Sequence, residues 1–124
     1  MYLSLGACLS PSLSRVVLPN GGVLSAEVMD TPEKRAAGMQ FRNGFPPNTV
    51  MLFVPGLPNF HMHNVSMPLD VIHLDRYGRI AAIQTAKPGS GSQRSNGVSS
   101  SAIEAPVGWA SANNLKIGDR IRLG

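Results

Sequence analysis

At 124 residues the chain is long enough for one domain whose core buries about two-thirds of the unfolded surface, so neither a disulfide nor a structural metal is needed for folding. Its one cysteine, Cys8, cannot form an intrachain bridge, which excludes a disulfide scaffold and a cysteine-ligated zinc fold. The 11 Lys and Arg against 7 Asp and Glu give a net charge of +4, but these residues are spread along the sequence without a basic helix or an aromatic-interleaved platform, so the chain does not read as a sequence-specific nucleic-acid binder.

The first 14 residues carry no charged side chain and read as a flexible or partner-bound arm. Within them Leu5-Gly6-Ala7-Cys8 looks like the lipobox of a bacterial lipoprotein, yet only four residues precede it, too few for a basic region and an apolar stretch; it reads as coincidence or the relic of a longer signal. A single β domain is expected over 15–124. It opens with a hairpin, 16–18 and 23–28, around Asn20-Gly21, which supplies the positive φ angles of a tight turn. Asp30-Thr31-Pro32-Glu33 then combines a capping oxygen, a first-turn proline and a carboxylate near the positive helix end, predicting a short helix over 32–39.

No Asp, Glu, Lys or Arg lies between Arg42 and Asp70, but five prolines interrupt this stretch, and its longest apolar run, 50–54, is far below the roughly 20 residues of a membrane helix. That run is apolar at every position, as in a strand covered on both faces. Over 60–64, strand alternation puts Phe60 and Met62 on one face and His61 and His63 on the other. A second hairpin, 71–75 and 79–85, turns at Arg76-Tyr77-Gly78. Residues 86–101, rich in Ser, Gly and Asn, are expected to form a mobile loop, because they bury too little apolar surface to offset ordering. A strand over 102–105, a helical turn over 109–115 and a closing strand over 120–123 complete a mostly β fold: a small barrel or jelly-roll-like sandwich with one or two short helices.

Several of these segments, in order, resemble the family known as domain of unknown function 192, over about residues 23–123. They are Glu33-Lys34-Arg35-Ala36-Ala37-Gly38-Met39-Gln40-Phe41-Arg42, Met51-Leu52-Phe53, Phe60-His61-Met62-His63-Asn64 with Met67-Pro68-Leu69-Asp70, Asp75-Arg76-Tyr77-Gly78-Arg79-Ile80, and the ending Glu104-Ala105-Pro106-Val107-Gly108-Trp109 with Lys116-Ile117-Gly118-Asp119-Arg120-Ile121. The resemblance implies a compact β-barrel or jelly-roll-like sandwich and no particular reaction. The chain departs from the family pattern at Gln40, where methionine is usual, at His61 for tryptophan, at His63 for lysine and at Val65 for threonine.

Few residue patterns point to chemistry. His61 and His63, two imidazoles on one strand face, suit a transition metal if Asp70, His73, Asp75 or Glu104 supplies a third ligand. Asp70 and Glu104 stand in apolar surroundings where an unpaired charge is costly; ion pairs to Arg35, Arg42 or Arg79 are expected, with acid-base or ligand-binding work as the alternative. Trp109 is a candidate ligand platform or a core anchor. No nucleophile elbow, phosphate loop or Cys-x-x-Cys pair occurs, and no motif calls for a cofactor.

Three functions follow as expectations. The first is a non-catalytic interaction or assembly module with a protein partner or copies of itself, for instance a structural or decoration protein of a virion. The second is an envelope protein that binds a small molecule or carbohydrate. The third is a metal-dependent enzyme built on His61 and His63. Virion, envelope and cytoplasm are all compatible with the sequence.

Overall fold

A computed structural model describes residues 12–56, 59–90, 92–94 and 99–124. The Leu5-Gly6-Ala7-Cys8 segment and most of the expected arm lie outside the described residues. The strands are β1 (Ser12–Val17), β2 (Val23–Met29), β3 (Thr49–Phe53), β4 (Asn59–His61), β5 (Leu69–Leu74), β6 (Ile80–Ala86), β7 (Ser92–Arg94), β8 (Ser101–Pro106) and β9 (Arg122–Leu123). Two short helices, α1 (Pro32–Ala37) and α2 (Trp109–Ala112), join them. Seven strands form one curled half-barrel sheet in the order β6-β5-β8-β3-β2-β1-β9, and β4 pairs with β7 as a separate ribbon. The expected mostly β architecture is the one observed. Among the described residues no helix is long and apolar enough to cross a membrane.

Both hairpins form where the turn residues place them. Leu18 and Gly22 close the first turn with a backbone hydrogen bond of 2.8 Å. In the second, Asp75 accepts from the N–H groups of Tyr77 and Arg79 through one carboxylate oxygen. Gly78, at φ 80°, lets this turn lie against the chain before β9, where an added Cβ would stand 2.6 Å from the Ile121 carbonyl oxygen. The half-barrel is drawn together at this seam. Ile121 donates to Gly78, Ile80 donates to Asp119, Gly118 donates to Ile80, and Arg79 and Arg120 form an antiparallel bridge. Two of the segments that carry the family resemblance therefore meet in space.

Helix α1 lies in the crossover between the parallel strands β2 and β3. Thr31 Oγ1 accepts from the Lys34 N–H at 3.1 Å as the expected cap. The helix ends at Ala37, two residues earlier than its pattern suggests, because Gly38 takes a positive φ of 45°.

Two other expectations are corrected. The arm was expected to reach residue 14, but Ser12, Leu13 and Ser14 belong to β1 and pair with Val28, Glu27 and Ala26. The stretch 86–101, expected to be a mobile loop without a strand of its own, contains β7, whose register against β4 pairs Asn59 with Arg94 and His61 with Ser92. Backbone pairing needs no apolar side chains, so a polar composition does not prevent it.

The sheet is apolar on both faces. One face packs Ala26, Val50, Leu52, Ile72, Ile103 and Ala105 with Val16, Ile80, Leu115 and Ile121 inside the curl. The other packs Met29, Met51, Phe53, Leu69 and Val71 beneath Met39, Phe60, Met62 and Val65. Both faces also carry buried polar groups, Asp70 and Ser101 on the first, His73 and Glu104 on the second.

Candidate functional site

Strand register decides which side chains share that second face. The pairings Glu27–Met51, Met51–Glu104, Glu104–Val71 and Val71–Gln84 make one row across five strands. The next row, Met29–Phe53–Ala102–His73–Ala82, lies parallel to it. Paired residues point to the same side of a sheet, so Glu27, Glu104, Gln84 and His73 all point to the face that carries α1, Met39, Phe60, Met62 and Val65.

These polar groups are satisfied to different degrees. Glu27 receives two parallel hydrogen bonds from Arg42, at 2.6 and 2.7 Å. That contact holds the Arg42 pKa above its usual value, against the desolvation that lowers it. His73 is fully buried; its Nε2 lies 2.6 Å from Gln84 Oε1, while Nδ1 has no partner among the described residues. Desolvation lowers the His73 pKa and outweighs the opposing effect of Gln84, so burial favours the neutral form of the ring.

Glu104 differs from both. It sits on β8 in the middle of the sheet, is 5% exposed, and has no hydrogen-bond or ion-pair partner among the described residues. Burial pushes its carboxyl up to about 7. The side chain lines a cavity of about 300 Å³ between the sheet and the C-terminal end of α1. Met39, Phe53, Phe60 and Val65 form apolar walls, and the half-buried Arg35, Gln40 and His61 also border the space. Arg35 does not neutralise Glu104: its Nη1 donates to the Val54 carbonyl at 2.9 Å. Gln40 is held at both ends, donating to Ala36 O at 2.7 Å and accepting from Asn64 Nδ2 at 3.0 Å.

The other expected site residues do not converge here. Asp70 points to the opposite face, where its Oδ2 accepts from the Ala110 N–H at 3.0 Å and its Oδ1 from Thr85 at 3.4 Å. It caps α2 from a neighbouring strand, because the residue before that helix, Gly108, has no side chain to do so. The ion pairs expected for Asp70 and Glu104 are absent: Arg42 is committed to Glu27, Arg35 to Val54, and Arg79 to the Gly118 carbonyl at 3.2 Å. Trp109 is half-buried, packs on the inner core, and borders a different groove with Phe45, Pro46, Pro47, Met67 and Pro106.

His61 ends β4, and His63 falls in the following turn rather than on the strand. Their rings still lie 5.1 Å apart, but His61 Nδ1 already accepts from the His63 backbone N–H at 3.3 Å. Among the described residues no third His, Cys, Asp or Glu joins them as a metal-binding group. Only His61 borders the Glu104 cavity. Sequence reasoning singled out Glu104 but not its walls, since Met39, Phe53, Phe60 and Val65 read as ordinary core.

A family model described as DUF192, Uncharacterized ACR, COG1430 matches residues 16–123. Among solved structures the chain is similar to a candidate transcription regulator from Sinorhizobium meliloti 1021, at 25% identity and a TM-score of 0.81, covering 92% of this chain and 95% of that one. It is also similar to a protein of unknown function from Novosphingobium aromaticivorans DSM 12444, at 25% identity and a TM-score of 0.78, with 90% and 84% covered. A hypothetical protein from Synechocystis shares the fold at 14% identity and a TM-score of 0.55, over 91% of this chain and 19% of that one. No curated protein matches.

Proposed function

This chain belongs to the DUF192 family, and we propose that it is a non-catalytic binding domain that takes a small organic ligand in the cleft between α1 and the sheet. The ligand would place an ammonium or hydroxyl group against Glu104 and an apolar body against Phe53, Phe60, Met39 and Val65. The observation that carries this reading is Glu104 itself. A carboxyl group without a partner in the centre of a sheet costs stability, and a ligand donor restores the missing interaction. The cleft volume, about 300 Å³, matches the lower end of small-molecule sites. Gln40, His61 and Val65, three of the four positions at which the sequence departs from the family pattern, border the same space. They make the cleft's chemistry particular to this chain.

A thermal-shift panel of small primary amines, matched alcohols and matched carboxylates tests the reading. Some amines or alcohols are expected to stabilise the wild type, carboxylates to leave it unchanged, and Glu104→Gln to weaken the amine response at least tenfold. A panel without a stabilising amine or alcohol, or a response that survives in the variant, would overturn it.

A second reading keeps the expected protein partner, and one observation favours it. Phe41 is 82% exposed and holds a φ of 62°, an uncommon conformation for a bulky residue, with its N–H bonded to the Asn64 carbonyl. An aromatic side chain held outwards in this way suits an anchor for another protein. Phe41→Ser should then reduce any self-association measured by sedimentation; no concentration dependence in the wild type removes self-assembly.

A further inference from the structure

The arginines that look scattered in sequence are gathered by the fold. At the seam of the half-barrel, Arg79 lies directly opposite Arg120. Arg120 and Arg122 flank the buried Ile121, so strand alternation sends both guanidinium groups to the outer face. Arg76 approaches from the hairpin tip, with its guanidinium 4.8 Å over the Tyr77 ring and its Nη2 donating to the Tyr77 hydroxyl at 2.7 Å. Arg76, Tyr77, Arg120 and Arg122 together border a groove of about 300 Å³. It shares no residue with the Glu104 cleft.

Like charges placed directly across two strands repel, and four arginines against the two carboxylates of the seam, Asp75 and Asp119, leave a net positive charge here. None of the four arginines has an ion-pair partner among the described residues. The two nearby carboxylates serve the backbone instead: Asp75 accepts from the Tyr77 and Arg79 N–H groups, and Asp119 Oδ2 accepts from the Lys116 N–H. The backbone bonds of the seam fix the positions of the arginine Cα atoms, so the repulsion cannot be relieved by moving the two segments apart. Fork-shaped donors on fixed backbone positions around a small groove suit a compact, multiply charged oxyanion.

The geometry points to an oxyanion site at this seam, formed by Arg76, Arg120 and Arg122 with Arg79 at its edge, for the phosphate group of a small soluble phosphate ester. A carboxylate needs only one guanidinium; three or four suit a dianion. A nucleic-acid strand needs a continuous basic track with free aromatic faces, whereas the one ring here, Tyr77, is covered by Arg76.

The test is a calorimetric titration of the full chain with glycerol phosphate and with inorganic phosphate, at ionic strength held constant with chloride. Saturable binding is expected, weakened at least tenfold in Arg120→Gln/Arg122→Gln and less than twofold in Lys34→Gln/Lys87→Gln, which removes the same charge elsewhere. Near-ultraviolet circular dichroism checks that each variant keeps the fold; Arg120, Arg122 and Lys87 are exposed and Lys34 is half-buried. Equal loss in the two double variants would reduce the effect to net charge and overturn the proposal. So would silence towards both phosphates, including the case in which phosphatidylglycerol vesicles or an oligonucleotide bind in their place.

Discussion

Replacing Glu104 with glutamine removes the ionisable group while keeping its size and shape, and so isolates what burying this carboxyl costs. Its folded pKa, raised from 4.5 to about 7, lies above the unfolded value, so the folded state holds the proton more tightly. Below pH 4.5 both states are protonated and the group has no effect on pH dependence. Between 4.5 and about 7 the unfolded state releases the proton first, so stability falls as pH rises, and above about 7 the full cost applies. A shift from 4.5 to about 7 corresponds to roughly 3 kcal/mol at pH 8, taking about 1.4 kcal/mol per pH unit. For a chain of this length that equals about 10 °C in melting temperature.

His73, whose pKa is lowered, contributes the opposite slope, losing stability as pH falls below its ordinary 6.5. The informative quantity is therefore the difference between wild type and Glu104→Gln, measured by urea denaturation from pH 4 to pH 8. The variant should be close to wild type at pH 4 and clearly more stable at pH 8. A variant less stable at pH 8, or a difference that stays constant across the range, would mean that the folded state does not hold the Glu104 proton more tightly than the unfolded one, and the reasoning would fail.

Further perturbations probe the parts of the fold that surround the cleft. Asp70→Ala leaves the Ala110 N–H without its cap and should cost about 1–2 kcal/mol in urea denaturation, while amine binding at Glu104 stays unchanged because the two side chains face opposite sides of the sheet. Gly78→Ala forces a Cβ to 2.6 Å from the Ile121 carbonyl oxygen at a φ of 80°, so a loss of about 2 kcal/mol or more is expected. A loss under about 0.5 kcal/mol would show that the seam gives way easily. Added zinc should leave the thermal stability of the wild type unchanged, since no third ligand joins His61 and His63 among the described residues; zinc stabilisation of the wild type that disappears in His61→Ala/His63→Ala would revive a metal site.

What was readable in the sequence was what depends on neighbouring residues. Asn20-Gly21, Arg76-Tyr77-Gly78 and the Thr31-Pro32 helix start are decided within a few positions, and each forms as expected. Strand β3 showed its double-sided burial in four consecutive apolar residues, Val50 to Phe53; Val54, the fifth of the run, follows the strand and is exposed. The partners of Asp70 and Glu104 were not readable, because they depend on register. One residue places Asp70 on the inner face against α2, and the single pairing of Glu104 with Val71 and Met51 places it on the other. Both carboxylates look alike in sequence; one is a helix cap and the other has no partner among the described residues. The arginine cluster was hidden for the same reason, since Arg76 and Arg79 meet Arg120 and Arg122 only when the half-barrel curls. Strand β7 was missed because backbone pairing left no trace in its composition.

The most direct measurement of the central claim is a residue-resolved ¹⁵N–¹H NMR titration of the full chain with the best amine from the thermal-shift panel. Shifts concentrated at Glu104, Gly38, Met39, Phe53, Phe60 and Val65, and absent in Glu104→Gln, are the predicted result. Shifts that instead gather around Trp109 and Phe45, or around Arg120 and Arg122, would contradict the assignment of the ligand to the Glu104 cleft.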